Sequence, residues 1–167
     1  YIIELSSFQL DNMYKFRANI AILLNIAPDH LDRYDNSMQN YADAKMRIVQ
    51  NQTEDDAFVY WADDPVIKKE LKRYGIKAKM CPFSILEKKG MIGYISDGQY
   101  VIERPTPFNM EQEGLSLTGK HNMYNSLAAG IAAHLSGIKD DSLRHSLSDF
   151  EGVEHRLERV ARVGGVQ

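Results

Sequence analysis

The feature that most constrains the fold is a short apolar run from 19 to 25, Asn-Ile-Ala-Ile-Leu-Leu-Asn, which contains no charged residue. Such a run is typical of a strand that is buried on both faces of a parallel sheet. The polar stretch Ala27-Pro28-Asp29-His30 follows it, so we expect a loop at the carboxyl end of this strand. Ligands bind at that edge of open α/β sheets.

A helix is predicted from Ser37, a candidate N-cap, to about Gln52. Its apolar residues recur at helical spacing, so one stripe of the helix faces the core. Lys45 lies on that stripe, and we therefore expect its amine to point toward the packed side.

Strand and helix alternate in the middle of the chain. Strands are predicted at 58–61 and 78–83, with a helix that opens at Asp64-Pro65 and runs to about Tyr74 between them. This βαβ order predicts an α/β fold with a mostly parallel sheet flanked by helices. A small antiparallel piece is expected around Asp97-Gly98, a dipeptide that favours a two-residue hairpin turn.

The last third of the chain is predicted to be mainly helical. The segment 115–117 is apolar enough to be a strand, whereas the polar stretch 109–113 is not. A long apolar helix is expected from about Asn122 to Leu135, and a second helix from about Asp141 to Leu147. A final strand is expected at 155–163.

The composition fits one soluble globular domain. Of the 167 residues, 44% are hydrophobic and 26% are charged, and the formal net charge is −3. This acidic balance argues against general binding to nucleic acid or anionic membranes, since both need clustered Lys and Arg. No apolar run reaches the roughly 20 residues of a membrane helix, and the single cysteine, Cys81, forms no intramolecular disulfide. We expect a cytoplasmic protein that acts on small molecules.

Four polar clusters interrupt this framework, each between a strand and a helix. Glu4 follows an apolar stretch, so its carboxylate is expected at the carboxyl rim of the sheet, where a hard cation such as Mg²⁺ can bind it. A solvated loop charge is an equal alternative, and the nearby serines are equally suited to cap a helix. The clusters are 4–9, 25–33, 119–125 and 155–158.

Asp29, His30 and Asp32 place three possible ligands in one turn. This grouping indicates a metal or phosphate site, and a capped turn is the structural alternative. Asn122 and Asn125 stand three residues apart on the long helix, so their amides lie near one another at its start. Paired carboxamides can bind the edge of a purine, although Asn near a helix start also caps the backbone.

In this order, the four clusters resemble the Mur ligase family, whose members use ATP to join an amino acid to a nucleotide-linked muramoyl precursor. Tyr41-x-x-Ala44-Lys45-x-Arg47-Ile48 is similar to the lysine-bearing helix of the family. Glu4-Leu5-Ser6-Ser7-Phe8-Gln9-Leu10 resembles the version found in the branch that adds D-glutamate. The resemblance covers essentially the whole chain and implies the P-loop-type central domain of the family.

The resemblance implies that Glu4, His30 and Lys45 organise the Mg²⁺ ions, with Lys45 carbamylated by carbon dioxide. A lysine held against an apolar face loses its charge more easily than a solvated one, and only the neutral amine attacks carbon dioxide. The resemblance also implies contacts with the substrates. These involve Ser6 for the muramoyl substrate, Asn122 and Asn125 for the adenine end of ATP, and Arg156 for its phosphates.

The implied reaction transfers a phosphoryl group from ATP to the carboxylate of UDP-N-acetylmuramoyl-L-alanine, and the amine of D-glutamate then attacks the acyl phosphate. Residues 1–167 are expected to be a central ATP-binding fragment that starts within a strand at Tyr1-Ile2-Ile3. The UDP-binding domain, the phosphate loop and the C-terminal domain are expected to lie outside it. We expect the fragment to be inactive and to self-associate, and the full-length protein to be a monomer.

Two other functions fit parts of the sequence. A metal-dependent hydrolase would use Asp29, His30 and Asp32 to activate a water molecule, but it leaves the Asn122 and Asn125 pair unexplained. A non-catalytic nucleotide-binding module would keep the scaffold without the chemistry.

Overall fold

The computed structural model of the protein describes residues 1–103, 105–117 and 119–150. Six strands in it form one sheet and lie side by side in chain order. The strands are β1 (Ile20–Leu23), β2 (Ala57–Trp61), β3 (Lys79–Ser84), β4 (Gly93–Ser96), β5 (Gln99–Ile102) and β6 (Phe108–Glu111). The first four pair in parallel, and the last three pair in antiparallel fashion. The predicted α/β class, with a mostly parallel sheet and a small antiparallel piece, is confirmed.

Helices flank the sheet, and short 3₁₀ turns connect some of them. The 3₁₀ turns lie at Leu31–Tyr34, Arg47–Val49 and Gln112–Gly114. The helices are α1 (Ser7–Asp11), α2 (Met38–Met46), α3 (Pro65–Glu70), α4 (Lys120–Leu135) and α5 (Asp140–Asp149).

The core consists of two apolar clusters. Alternate residues of β2 point to opposite faces of the sheet, as the two-residue period of a strand requires. Val59 belongs to the cluster that includes Leu127 of α4. Phe58 belongs to the other cluster, which includes Met46 of α2 and Ile67 of α3. The sheet is therefore covered by α4 on one face and by α2 and α3 on the other.

A close approach fixes α4 against β5. The Tyr100 side chain is fully buried, and its hydroxyl donates a hydrogen bond of 2.8 Å to the Ser126 carbonyl. Burial raises the pKa of Tyr100 well above its usual range. Gly130 lies at this contact, and a Cβ there would stand 2.0 Å from the Tyr100 hydroxyl oxygen. Only glycine fits at this position.

A buried ion pair ties the segment before β1 to the start of β2. The Arg17 Nε donates to the Asp56 Oδ2 at 2.7 Å, and the Thr53 backbone N–H donates to the same oxygen at 2.7 Å. The Asp56 side chain is 1% exposed. The Arg17 hydrogen bond and those from Thr53 lower the pKa of the Asp56 carboxyl to about 2.

Local signals predicted several elements correctly. The Ser37 hydroxyl caps α2 by accepting from the Asn40 N–H, and Asp64 caps α3 by accepting from the N–H groups of Val66 and Ile67. The Asp97-Gly98 hairpin joins β4 to β5, and both residues have positive φ, 54° and 73°. These angles are those of a type I′ turn.

The predicted extent of α3 and the strand assignment at 115–117 are wrong. The helix ends at Glu70 rather than near Tyr74, because residues 71–74 form turns. The last described strand is 108–111, whose residues alternate between buried and exposed. A strand that is buried on one face needs an apolar residue only at every second position. The segment 109–113 therefore seemed too polar to be a strand.

Burial of β1 on both faces is also wrong. Ile22 and Leu24 are 40% and 37% exposed, because β1 is the edge strand of the described sheet. Tyr1-Ile2-Ile3 belongs to no strand, since no described strand pairs with it, and its side chains are exposed. The strand predicted at 155–163 lies outside the described residues.

Candidate functional site

Helix α1 begins with a reciprocal cap. The Ser6 N–H donates to the Gln9 Oε1 at 2.8 Å, and the Gln9 N–H donates to the Ser6 Oγ at 3.3 Å. This capping box satisfies two backbone donors that a helix start otherwise leaves unpaired. The structure therefore bears out the capping role of Ser6 that the sequence suggested, and it fixes Ser6 at the start of a rigid turn.

Phe8 of α1 connects this turn to the loop that carries His30. Its ring centroid lies 5.4 Å from the His30 ring and 6.0 Å from the Tyr34 ring, which stacks on it. The Arg33 guanidinium lies 4.7 Å from the same ring centroid. Residues that are far apart in the chain thus meet on one aromatic side chain.

His30 has a left-handed backbone conformation, with φ 48° and ψ 34°. This conformation costs free energy for a residue with a Cβ and is concentrated at functional sites. Its Nε2 lies 3.5 Å from the Asp29 Oδ2, and its side chain is 60% exposed. The imidazole is therefore open to solvent.

Lys45 belongs to the same aromatic cluster. Its Nζ lies 5.4 Å from the Tyr41 ring centroid, and the Tyr41 ring lies 5.4 Å from the Tyr34 ring. Tyr34 in turn stacks on Phe8, which contacts His30. A continuous series of rings therefore joins the two predicted residues. The Lys45 side chain is half-buried, as its position on the helix stripe predicted.

Glu4 is exposed and makes no hydrogen bond or ion pair with any residue that the structure describes. It does not follow a strand, so its predicted position at the rim of the sheet has no support from strand geometry. Glu4 lies two residues before Ser6, and only this backbone connection links it to the aromatic cluster of Phe8, Tyr34 and Tyr41.

Within the described residues, the side chains alone do not assemble a complete metal site. In the described part of the chain, no group of three or more His, Cys, Asp or Glu side chains could hold a metal ion. This finding argues against a metal-dependent hydrolase site built from Asp29, His30 and Asp32. Mg²⁺ commonly uses one or two protein oxygens together with water and substrate phosphates. Glu4 and a carbamate on Lys45 would supply such oxygens.

A second region lies where the carboxyl ends of β1 and β2 meet the first turn of α4. It is a cleft of about 180 Å³. The Trp61 and Tyr124 ring centroids lie 4.2 Å apart, and the His121 ring lies 6.2 Å from that of Tyr124. The lining residues are Leu24, Asn25, Trp61, His121, Tyr124 and Asn125.

The predicted amide pair stands at this cleft. Asn125 is exposed and lines it, and Asn122 lies half-buried one turn earlier. Helix α4 starts after Gly119, which has φ 93° and provides no side-chain cap. The N-terminal end of the helix and the Asn125 carboxamide are thus directed to the same edge of the sheet. Arg156 lies outside the described residues.

A larger and more open groove of about 660 Å³ runs along the outer side of α2. Arg73, which lines it, pairs with Asp43 at 2.8 Å and also contacts the buried Glu70. Burial opposes ionisation of Asp43, but hydrogen bonds from Arg73, Tyr74 and Gln39 hold its pKa below the usual value. Burial and the Asp43 contact raise the pKa of Tyr74 to about 12. None of the predicted site residues lines this groove.

Sequence reasoning missed the aromatic residues of both regions. Phe8, Tyr34 and Tyr41 looked like ordinary core residues of helices. Trp61 is the last residue of β2, and its position at the carboxyl end of a buried strand was a signal that could have identified it.

Comparison with known proteins identifies the family of this chain. Residues 1–133 match the Mur ligase middle domain. The chain therefore belongs to the Mur ligase family.

Two curated relatives that align with nearly the whole of this chain carry the same name. The chain is 65% identical over 166 residues to UDP-N-acetylmuramoylalanine--D-glutamate ligase of Bacteroides thetaiotaomicron, covering 99% of this chain and 37% of the relative. It is 49% identical over 169 residues to the enzyme of the same name from Porphyromonas gingivalis, covering 99% and 38%. The chain thus spans less than two fifths of the length of these relatives.

Solved structures support the fold. MurF from Acinetobacter baumannii superposes with a TM-score of 0.67 at 18% identity, covering 89% of this chain and 32% of that one. MurF ligase from Thermotoga maritima in complex with ADP gives a TM-score of 0.55 at 22% identity, covering 82% and 31%. Within the described residues, no helix combines the length and apolar character needed to cross a membrane.

Proposed function

We propose that the chain is the central, nucleotide-handling part of an ATP-dependent ligase that adds D-glutamate to UDP-N-acetylmuramoyl-L-alanine in peptidoglycan precursor synthesis. The observation that carries this proposal is the 65% identity, over 99% of the chain, to an enzyme named for that activity. The match of residues 1–133 to the Mur ligase middle domain supports assigning residues 1–167 to the central domain. The UDP-binding domain, phosphate loop and C-terminal domain are then assigned to the remainder of the protein.

The proposed reaction begins with transfer of the γ-phosphoryl group of ATP to the substrate carboxylate, which releases ADP. The amine of D-glutamate attacks the resulting acyl phosphate, the amide bond forms, and inorganic phosphate leaves. This chemistry needs positioning and charge stabilisation rather than a protein nucleophile. Bound Mg²⁺ would neutralise charge on the transferred phosphoryl group.

In this proposal Lys45 acts as its carbamate. Lys45 is half-buried, and its Nζ lies 5.4 Å from the Tyr41 ring centroid, so the carbamate would form beside the aromatic cluster. The carbamate and Glu4 would supply anionic oxygens, and His30, which contacts the Phe8 ring, would supply a nitrogen. Ser6 lies at the fixed start of α1, where it would contact the muramoyl substrate.

Asn122 and Asn125 are assigned to the adenine of ATP, since Asn125 lines the cleft beside the start of α4. The ADP bound in the MurF ligase structure from Thermotoga maritima supports a nucleotide ligand for this fold. Arg156 is assigned to the phosphates. The partners are small molecules, with no nucleic acid or membrane, and the full-length protein is proposed to be a cytoplasmic monomer.

The test is a ligase assay of the full-length protein with ATP, Mg²⁺ and UDP-N-acetylmuramoyl-L-alanine. D-glutamate is compared with L-glutamate and with other L-amino acids, and both ADP release and amide product are measured. We expect product only with D-glutamate, and none from residues 1–167 alone. Equal use of an L-amino acid would refute the substrate assignment, and turnover by the isolated chain would refute the domain assignment.

A further inference from the structure

We propose that Trp61, which packs on Tyr124, forms the wall against which the base of ATP stacks. This inference rests on the proposed function, because it extends the assignment of Asn122 and Asn125 to the adenine end of the nucleotide.

The two rings form a continuous apolar surface at the cleft. Their centroids lie 4.2 Å apart with 35° between the ring planes, and both residues line the cleft. Trp61 is half-buried, so part of its indole remains accessible there. A purine is flat with apolar faces and polar edges, and stacking on aromatic side chains is a common way to bind such a base.

The charge of the cleft favours the base over the phosphates. Its lining residues include two asparagines and a histidine but no Asp, Glu, Lys or Arg. An uncharged base fits such a lining, whereas a triphosphate needs cationic groups or helix N–H donors. The Asn125 carboxamide can both donate to and accept from a base edge.

Binding to the full-length protein tests the proposal without turnover. Titration calorimetry gives the Kd of ATP and that of inorganic tripolyphosphate, which has the phosphates but no base. Quenching of tryptophan fluorescence by ATP gives a second signal, because Trp61 is the single tryptophan of these 167 residues and Trp61→Phe identifies its contribution.

We expect Trp61→Leu to raise the Kd of ATP roughly tenfold, as loss of one base–aromatic contact does, and to leave the Kd of tripolyphosphate unchanged. Trp61→Phe should retain most of the affinity, because it keeps an aromatic ring. Tyr94→Leu, which removes a half-buried aromatic ring on β4 outside the cleft, should change neither Kd.

An unchanged Kd of ATP in Trp61→Leu, or an equal loss of ATP and tripolyphosphate affinity, would overturn the proposal. The unfolding midpoint of each variant is measured on the same samples. If Trp61→Leu does not fold, the Kd of ATP for Trp61→Phe is compared with that of the wild type instead. A wild-type protein that binds no ATP would refute the proposed function itself, so the two failures are distinguishable.

Discussion

The Phe8 ring lies 5.4 Å from the His30 imidazole, and this contact joins the helix that starts at Ser6 to the loop after β1. His30 is exposed and has a left-handed backbone conformation. Among the ring contacts described, Phe8 is the aromatic residue that touches it. The direction of the imidazole therefore depends on a side chain from a separate element.

Replacing Phe8 by Leu should loosen His30. We expect catalytic efficiency of the full-length protein to fall roughly 10- to 100-fold, since small misplacements of site groups have effects of this size. The His30 ring signal, assigned by its loss in His30→Gln, should show greater mobility in ¹³C relaxation. Phe8→Tyr should restore both readouts. Phe16→Leu, at a half-buried position in the next loop, is the control. An unchanged His30 signal in Phe8→Leu would contradict the prediction.

Lys45→Ala should reduce ligase turnover of the full-length protein by at least about 100-fold, because it removes the amine that we propose to be carbamylated and the anionic oxygens that the carbamate would supply. Lys45→Arg should not restore turnover, since a guanidinium keeps its charge and forms no carbamate. Activity of the wild type should fall when bicarbonate and carbon dioxide are removed and recover when they are returned. Lys68→Ala, at an exposed position on α3, should be neutral. Full activity in Lys45→Arg would exclude the carbamate.

Gly130→Ala should lower the free energy of unfolding by about 1–3 kcal/mol, the usual cost of overpacking a core. The new Cβ would stand 2.0 Å from the Tyr100 hydroxyl oxygen, so α4 or β5 must shift. Urea denaturation measures the loss. Gly75→Ala is the matched control, because its Cβ meets no atom within 4 Å. Equal stability of the two variants would show that the contact between α4 and β5 is loose.

The Asp56 carboxyl predicts an acid dependence of stability. Its pKa is about 2 in the folded protein, below the ordinary value of 3.8, chiefly because of the Arg17 hydrogen bond. Its contribution to stability is therefore present above pH 3.8 and is lost as the pH falls toward about 2. Denaturation midpoints between these values should fall less steeply in Asp56→Asn than in the wild type. Parallel pH profiles would contradict the assignment.

The exposed side of β1 predicts self-association of residues 1–167 as an isolated chain. Ile22 and Leu24 are exposed on a strand that has a described neighbour on one side only, and such edges pair between molecules. Sedimentation should show oligomers that grow with concentration, and Ile22→Lys should reduce them. A wild-type sample that stays monomeric at high concentration would refute this prediction.

Elements that are determined by neighbouring residues could be predicted from the sequence. Ser37 and Asp64 cap their helices through contacts within three residues, and Asp97-Gly98 forms its turn because of local backbone preference. The pairing of β1, β2 and β3 followed from the βαβ order.

Features that depend on packing between distant elements could not be predicted. The exposure of Ile22 depends on which strands stand beside β1, and the segment 108–111 became a strand because β5 pairs with it. The Trp61 and Tyr124 contact requires α4 to cross the end of β2. The residues around Glu4, His30 and Lys45 in the sequence do not indicate how far apart the three side chains lie.

The order of the strands across the sheet is the order in which they are synthesised. Each described strand lies beside the one that precedes it in the chain. No described strand must insert between two strands that are already paired, so every addition extends a free edge. The chain leaves the ribosome with its N-terminal end first. A ribosome-bound nascent chain could therefore acquire this sheet one strand at a time, with the Asp97-Gly98 hairpin added to an existing parallel half.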